Sequence, residues 1–401
     1  MTPTADNSRR SKDQAKAAST TPGRRSSVAA GAARAAGERA RRHTTPLLAA
    51  APPAPEPPRA AKPRKPEKAS PAATPPRETP RPQLQVIQGE RGEGPDLAAL
   101  EELAEAVAGA VRWVSDRLGL PTEQAQTKVA ETLAFLRRRV TGDFTVDEFG
   151  YDPDYAEHVL YPLLRPLYRT WFRTEVLGID NIPATGAALI VGNHSGTVAI
   201  DSLMTQLAIH DTHPQQRALR ALGADLVFAT PFLGDVARKG GSTLAANADA
   251  ERLLNSGELV GVWPEGFKGV GKPFRDRYRL QRFGRGGFVA TALRAGVPII
   301  PCATVGAEET YPMLGNLAPA ARLLGLPYLP ITPTFPWLGP LGMVPLPSKW
   351  LIEFGPPIDT SALGPAAADD PAVVFDLTDR VRETIQQTLY SLLMQRRSVF
   401  W

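Results

Sequence analysis

The sequence predicts an α/β fold: a largely parallel sheet flanked by helices, preceded by a helical hairpin and a disordered N-terminal tail. Three observations carry this expectation. Short continuous apolar runs, such as Ala187–Val191 and Leu259–Trp263, close on Gly, Asn or Pro and recur through the second half of the chain. Runs of this length suit strands covered on both faces. Between them lie segments with apolar residues at intervals of three and four, and such strand–helix alternation places the helices on the faces of one sheet. Chemically capable polar residues stand just past the ends of the runs, where open α/β sheets keep their sites.

From the N-terminus, residues 1–92 read as a basic Ala/Pro/Arg-rich tail. Up to Pro82 it holds seventeen Lys or Arg and six Asp or Glu, a net charge of +11, against +5 for the whole chain. The basic character therefore belongs to the tail, and the remainder is acidic. With almost no aromatic or β-branched apolar residues, the tail buries too little apolar surface to offset chain entropy, and disorder is expected. Residues 93–142 read as a helical hairpin. Leu100, Leu103, Val107, Val111, Val114 and Leu118 make one stripe, which Pro121 stops. Thr122 caps a second helix with Val129, Leu133, Leu136 and Val140 on its stripe.

Residues 143–401 form the remaining domain, long enough to bury a substantial core. Tyr155–Phe172 mixes apolar and aromatic residues with Arg165 and Arg169 and is interrupted by Pro162 and Pro166. Two readings fit it: a helix seated at a membrane interface, or a core helix ahead of the first strand. Strands are expected near 187–192, 225–229, 258–263, 298–305 and 349–354, and helices near 202–209, 245–256 and 285–295. The stretch from Leu323 to Pro347 is too rich in proline for a helix and reads as an irregular lid or a patch that touches lipid. Pro371–Arg397 closes the chain as a helix, with Val381, Ile385, Leu389 and Leu392 on one stripe.

Composition removes several classes of function. The single cysteine, Cys302, excludes an intrachain disulfide and a Cys-rich metal centre and suits a reducing cytoplasm. No His pair or carboxylate cluster has ligand spacing, so no metal is expected. No run reaches the ~20 apolar residues of a transmembrane helix, and the basic N-terminus leads into polar sequence rather than the apolar core of a signal peptide. A soluble or peripheral protein is expected. The tail offers charge without aromatic stacking platforms, which argues against specific recognition of nucleic acid. P-loop and Gly-x-Ser-x-Gly nucleophile motifs are both missing.

The chemistry concentrates at two strand ends. Val191-Gly192-Asn193-His194-Ser195-Gly196 places His194 where a strand gives way to a loop, and Asp201 opens the following helical segment. A carboxylate there can fix the imidazole tautomer and stabilise the imidazolium formed when His194 accepts a proton. Ser195 reads as a turn residue, and His43, His158, His210 and His213 as structural or solvated. A second run, Glu258–Trp263, ends in Pro264-Glu265-Gly266, offering an acceptor for hydroxyl groups at Glu265 and close backbone approach at Gly266. Arg238-Lys239-Gly240-Gly241 places two cations beside a flexible loop, either a phosphate site or a solvated turn. Lys268 opens a run of cations, Lys272, Arg275, Arg277, Arg279, Arg282 and Arg285, read as a solvated face or as a grip on phosphate.

Taken in order, Asn193-His194 with Asp201, Phe232 to Gly240, Pro264-Glu265-Gly266 and Val297 to Pro301 resemble the blocks of the glycerolipid acyltransferase superfamily, across residues 170–360. Two departures stand out. The family usually has four residues between His and Asp, and this chain has six. The small or basic residue usual after Glu-Gly is Phe267 here, with Lys268 behind it. The resemblance implies an O-acyltransferase that moves a fatty acyl group from acyl-CoA or acyl carrier protein to a hydroxyl of a lysophospholipid or related glycerolipid. It makes His194 the general base and Asp201 its orienting carboxylate, with Arg238, Lys239, Glu265, Gly266 and Lys268 contacting substrate. Attack is direct, and no metal or redox cofactor is implied. The expected partners are the glycerolipid acceptor, the acyl donor and an anionic membrane surface. The expected location is cytoplasmic, peripheral on the inner face of the cell membrane. Two alternatives stay open: a non-catalytic membrane lipid-binding protein, and an acyltransferase acting on a glycolipid, neutral lipid or wax-type alcohol.

Overall fold

The computed structural model describes residues 86–88 and 122–400, which belong to one unit spanning Arg77–Trp401. The first helix of the expected hairpin, and the tail apart from 86–88, lie outside the described residues. Strand β1 (Val86–Gln88) pairs antiparallel with β2 (Thr145–Asp147), drawing on the β-branched Val86 and Ile87. Helix α1 (Thr122–Thr141) matches the expected second helix of the hairpin. Its last turn is tied down by Arg139 on Asp152 and Arg138 on Asp154, both at 2.5 Å.

Residues 153–171 form one helical run of alternating α and π turns. The α turn Tyr161–Pro166 holds both prolines, which have no N–H to give an i−4 carbonyl, and the π turns flank it. Leu160, Tyr161, Leu164, Tyr168 and Phe172 are buried in the core. Arg165 and Arg169 are both drawn to Asp211, at 3.0 and 2.7 Å. The core reading of this segment therefore holds for its inward face, while Leu163 and Trp171 stay exposed on the other.

The central sheet uses β3 (Glu175–Leu177), β4 (Ala188–Gly192), β5 (Leu219–Gly223), β6 (Thr243–Leu244), β7 (Leu259–Val262) and β8 (Ile299–Val305). After β8 the chain makes a separate hairpin of β9 (Gly315–Asn316) and β10 (Pro330–Ile331) and re-enters the sheet as β11 (Leu351–Phe354). The sheet order is β3-β11-β8-β4-β7-β5-β6. From β8 to β6 all neighbours are parallel, while β11 runs antiparallel to β8 and parallel to β3. Every residue of β4 and β8 is buried, as strands covered on both faces require.

Alternation along β4 separates two core layers. Ala188 and Ile190 pack with α2 (Ile200–Thr212) and the 153–171 run. Leu189 and Val191 face the other way, towards α3 (Asn247–Asn255), α4 (Gly287–Ala295) and α5 (Pro371–Gln395). On α5 the expected stripe of Val381, Ile385, Leu389 and Leu392 is fully buried. Each such side chain contributes roughly 1.5–3 kcal/mol, enough to hold the helix on the sheet.

One expected strand is misplaced. The strand lies at 219–223 rather than 225–229, and Asp225–Ala229 is a short helix. Arg220 breaks the apolar run in sequence, yet its side chain is buried, paired with Asp147 at 2.7 Å and laid over the Tyr151 ring. No helix among the described residues is long and apolar enough to cross a membrane.

Candidate active site

The end of β4 is held before any catalytic group is reached. The Asn193 amide donates to Thr304 O at 3.0 Å and accepts from Thr304 N–H at 2.7 Å, locking the chain beyond the ladder to β8. The next residue, His194, gives its backbone N–H to Glu265 Oε1 at 2.9 Å, so its main chain is set by the end of β7. Its ring nitrogen Nδ1 lies 2.9 Å from Asp201 Oδ2. Asp201 sits in the first turn of α2, where the helix dipole favours an anion, and is fully buried. Oδ2 also accepts from Ser195 N–H and Oδ1 from Ser202 N–H, each at 2.9 Å. The carboxylate cannot turn away from the ring without losing these bonds. With Nδ1 committed, Nε2 is the ring nitrogen left for chemistry, and it has no partner among the described residues.

The six-residue spacing is absorbed by the loop. Gly196 and Thr197 both have positive φ, 97° and 64°, and tight turns close Val198 N–H on Gly196 O and Ile200 N–H on Val198 O. A Cβ on Gly196 would lie 2.7 Å from Ala307 O, so both conformation and space require glycine. Thr197 is strained but pinned: its N–H reaches Val270 O, its hydroxyl Tyr311 O, and its carbonyl accepts the Tyr328 hydroxyl at 2.6 Å. The longer loop is thus folded inward at Gly196 and Thr197, both buried, and the His–Asp contact is kept.

Glu265 serves as a clamp. Oε1 holds His194 N–H, Oε2 accepts Gln281 N–H at 2.6 Å, and the side chain is buried. Burial raises its pKa, opposed chiefly by Lys272. The expectation that Glu265 meets the acceptor's hydroxyl groups is not what this geometry offers, since both oxygens are occupied by main chain. Lys272 is likewise no solvated cation: it is buried, 2.9 Å from Glu308 and 3.7 Å from Glu265, and donates to Arg279 O. Glu308 is pushed up to about 6 by burial. A second buried set adjoins it, in which the Tyr278 hydroxyl donates to Glu309 and Arg396 pairs with Glu309 at 2.8 Å. Burial holds the Tyr278 phenol far above its ordinary range. The sequence reading missed Glu308 and Glu309, although they stand just past β8, another strand end.

A family model described as Acyltransferase matches residues 173–305. An uncharacterized protein of Mycobacterium tuberculosis is 54% identical over 321 residues, covering 80% of this chain and 89% of its own. The chain belongs to the glycerolipid acyltransferase superfamily. More distantly, a human protein described as a DGAT1/2-independent enzyme synthesizing storage lipids is 29% identical over 148 residues, 36% of this chain and 44% of that one. Among solved structures, the 1-acyl-sn-glycerophosphate acyltransferase of Thermotoga maritima aligns at a TM-score of 0.38 and 19% identity, over 59% of this chain and 81% of that one.

In this acyltransferase, Gly266 to Val270 builds the floor beside the base. Gly266 has φ 55° and opens the one-turn helix Phe267–Val270. A Cβ on Gly269 would lie 2.6 Å from both His194 O and Glu265 Cβ, so this turn packs directly on the His194 main chain. Lys268 is exposed on it, and Phe267 lines a cavity of about 520 Å³ with Leu226, Ala245, Leu326 and Pro327. The backbone donors near the base are mostly engaged: Ser195 N–H by Asp201, Thr197 N–H by Val270 O and Gly266 N–H by Trp263 O. The N–H of Gly196 has no partner among the described residues, and the Ser195 hydroxyl and Trp263 indole N–H are buried without one. Arg238 and Lys239 end the exposed helix Leu233–Lys239 and lie over the rings of Phe228 and Tyr155, at 4.8 and 5.5 Å. Among the described residues no hydrogen bond or ion pair joins them to His194, Asp201 or Glu265. No group of three or more potential ligands among the described residues could hold a metal ion.

Proposed function

We propose that this acyltransferase moves a fatty acyl group from the thioester of acyl-CoA or acyl carrier protein to a hydroxyl of a lysophospholipid or related glycerolipid, with His194 as general base. The single observation that carries the reading is the 2.9 Å contact between His194 Nδ1 and the buried Asp201 carboxylate. Asp201 holds the proton on Nδ1, which leaves the Nε2 lone pair to take the acceptor's hydroxyl proton. The oxygen attacks the thioester carbonyl and a tetrahedral oxyanion forms, for which the unengaged Gly196 N–H, two residues past the base, is a candidate donor. Collapse breaks the C–S bond, and the leaving thiolate takes the proton back from Nε2. Every proton and electron pair in this sequence is supplied by substrate and imidazole, so the chemistry calls for no metal or redox cofactor.

Glu265 acts by setting the main chain of the base rather than by meeting substrate. Lys268, exposed on the turn beside Gly266, suits a phosphate on acceptor or donor. Arg238 and Lys239, exposed on a separate helix, suit a phosphate held further from the reacting bond, and together these cations fit an anionic membrane at the inner face of the cell. Labelled acyl-CoA offered with a panel of lysophospholipids, glycolipids, monoacylglycerols and long-chain alcohols tests the acceptor class. Transfer to a lysophospholipid, lost in His194→Ala, is the expected result. Transfer only to alcohols or neutral lipids would move the acceptor to that class, and no transfer to any would reject the reading.

A further inference from the structure

Between Tyr311 and Ser348 the chain carries one charged residue, Arg322. This excursion leaves the sheet after β8 and returns at β11 as the β9–β10 hairpin, the short helix Ala318–Leu323 and the turn Gly339–Met343. Its backbone is anchored. Leu314 N–H bonds to Ile331 O, Phe274 N–H to Met313 O, and the Tyr328 hydroxyl to Thr197 O in the loop beside the base. Its outward side chains are nevertheless uncovered: Leu323 is 87% exposed, Trp337 72% and Leu341 71%, and Leu324, Leu338 and Met343 are exposed by more than half. Single apolar residues on a surface need no explanation, whereas such a concentration marks a contact.

The excursion also forms one wall of the cavity lined by Phe267, two residues past Glu265. Leu326 and Pro327 face Phe267 and Leu226 across about 520 Å³. Beyond the short helix that carries Leu226, the chain reaches Phe232, 88% exposed, and then the helix that ends in Arg238 and Lys239. Cations thus sit next to the apolar residues in sequence: Arg322 beside Leu323, and Lys268 beside Phe267.

We propose that this excursion, with Phe232 and Phe267, is the surface that seats the protein in the headgroup–acyl boundary of an anionic bilayer, so that lipid enters the cavity sideways from the membrane. The proposal rests on the glycerolipid reading above, which makes the substrate a bilayer component. A bilayer meets both parts of the surface, with acyl chains for Leu323, Trp337 and Leu341 and phosphates for the cations. A second copy of the chain fits worse, because a self-complementary contact would bring Arg322 and Lys268 towards their own like charges. Phe267, which departs from the small or basic residue usual after Glu-Gly, becomes intelligible as part of the apolar wall of a lateral entrance.

The test uses the full chain and vesicles of phosphatidylcholine with phosphatidylglycerol at about 1 M salt, where the Debye length is about 3 Å and the basic tail is screened. Leu323→Asp with Leu341→Asp should lower partitioning by about 10²–10⁴-fold, the loss of two buried leucines, and leave turnover on a water-soluble short-chain acceptor unchanged. Trp337→Phe should keep partitioning but remove most of the fluorescence quenching by brominated lipid. Unchanged partitioning in the double variant, or unchanged quenching in Trp337→Phe, would overturn the proposal. So would a dimer that the double variant dissolves while the wild type ignores vesicles. If vesicles quench Trp337 but no acceptor is acylated, the surface stands and the enzymatic reading alone fails. Normal acyl transfer with partitioning indifferent to the double variant sinks the surface alone.

Discussion

Replacing Lys272 with Met removes a cation lying between two buried carboxylates while keeping most of the side-chain volume. Lys272 Nζ is 2.9 Å from Glu308 and 3.7 Å from Glu265, and none of the three side chains is more than 4% exposed. Removing one partner of such a set costs about 3–5 kcal/mol, because charge is left uncompensated. The cost should depend on pH. Burial raises both carboxyl pKa values, Glu308 to about 6, and Lys272 opposes the rise. Without it both folded-state values climb further, so the folded chain keeps protons that the unfolded chain has released. Stability is then lost as pH rises from the unfolded value of 4.5 through the folded one. In urea unfolding near pH 4.5 the variant should lose only about 1 kcal/mol, a hydrogen bond's worth. Near pH 8 the deficit should reach about 3–5 kcal/mol. Lys268→Met, on the exposed turn, should stay within about 0.5 kcal/mol at either pH. A Lys272→Met deficit that is independent of pH, or no larger than that of Lys268→Met, would refute the clamp.

Catalysis gives the next expectation. His194→Ala should lower turnover by about 10²–10⁴-fold with the fold intact by circular dichroism. Asp201→Asn should come close to it, because an amide cannot accept from His194, Ser195 and Ser202 together, and wild-type turnover in both would reject the mechanism. Arg238→Ala with Lys239→Ala should raise KM for a phosphate-bearing acceptor more than it lowers kcat. If KM moves only in Lys268→Ala, the phosphate belongs at the turn beside Gly266.

Much of the fold was legible because β4, β7 and β8 are buried on both faces and so read as unbroken apolar runs. That His194 and Asp201 meet was legible for a related reason, since a strand end and the next helix start are fixed by those runs. What stayed hidden depends on partners remote in sequence. The segment 155–173 has a composition that suits a lipid interface and a core equally; which residues turn inward, and that Asp211, more than forty residues on, takes its arginines, is set by remote partners. Arg220 masked β5 because a buried arginine with a remote partner, Asp147, looks like a surface residue in sequence. Lys272 read as one cation among many, since a run of charges does not reveal which member turns inward. The long His–Asp loop could be judged only once Gly196 and Thr197 were seen to take positive φ and pack inward.

The clamp on His194 has a temporal side. Gln281, which closes Glu265 from below, is held by α5: Arg382 donates to the carbonyls of Leu280 and Gln281, and Gln386 bonds to Tyr278 O and Leu280 N–H. During synthesis the base and its carboxylate therefore leave the ribosome long before the helix that steadies them. A nascent chain would carry His194 and Asp201 on a loop whose clamp is not yet backed by α5. Chains ended before Arg382 should accordingly be inactive in the acyl-transfer assay although they contain both residues. Inactivity of such chains would mean that reactivity waits on the last helix of the polypeptide, a safeguard against a half-made enzyme working on its surroundings.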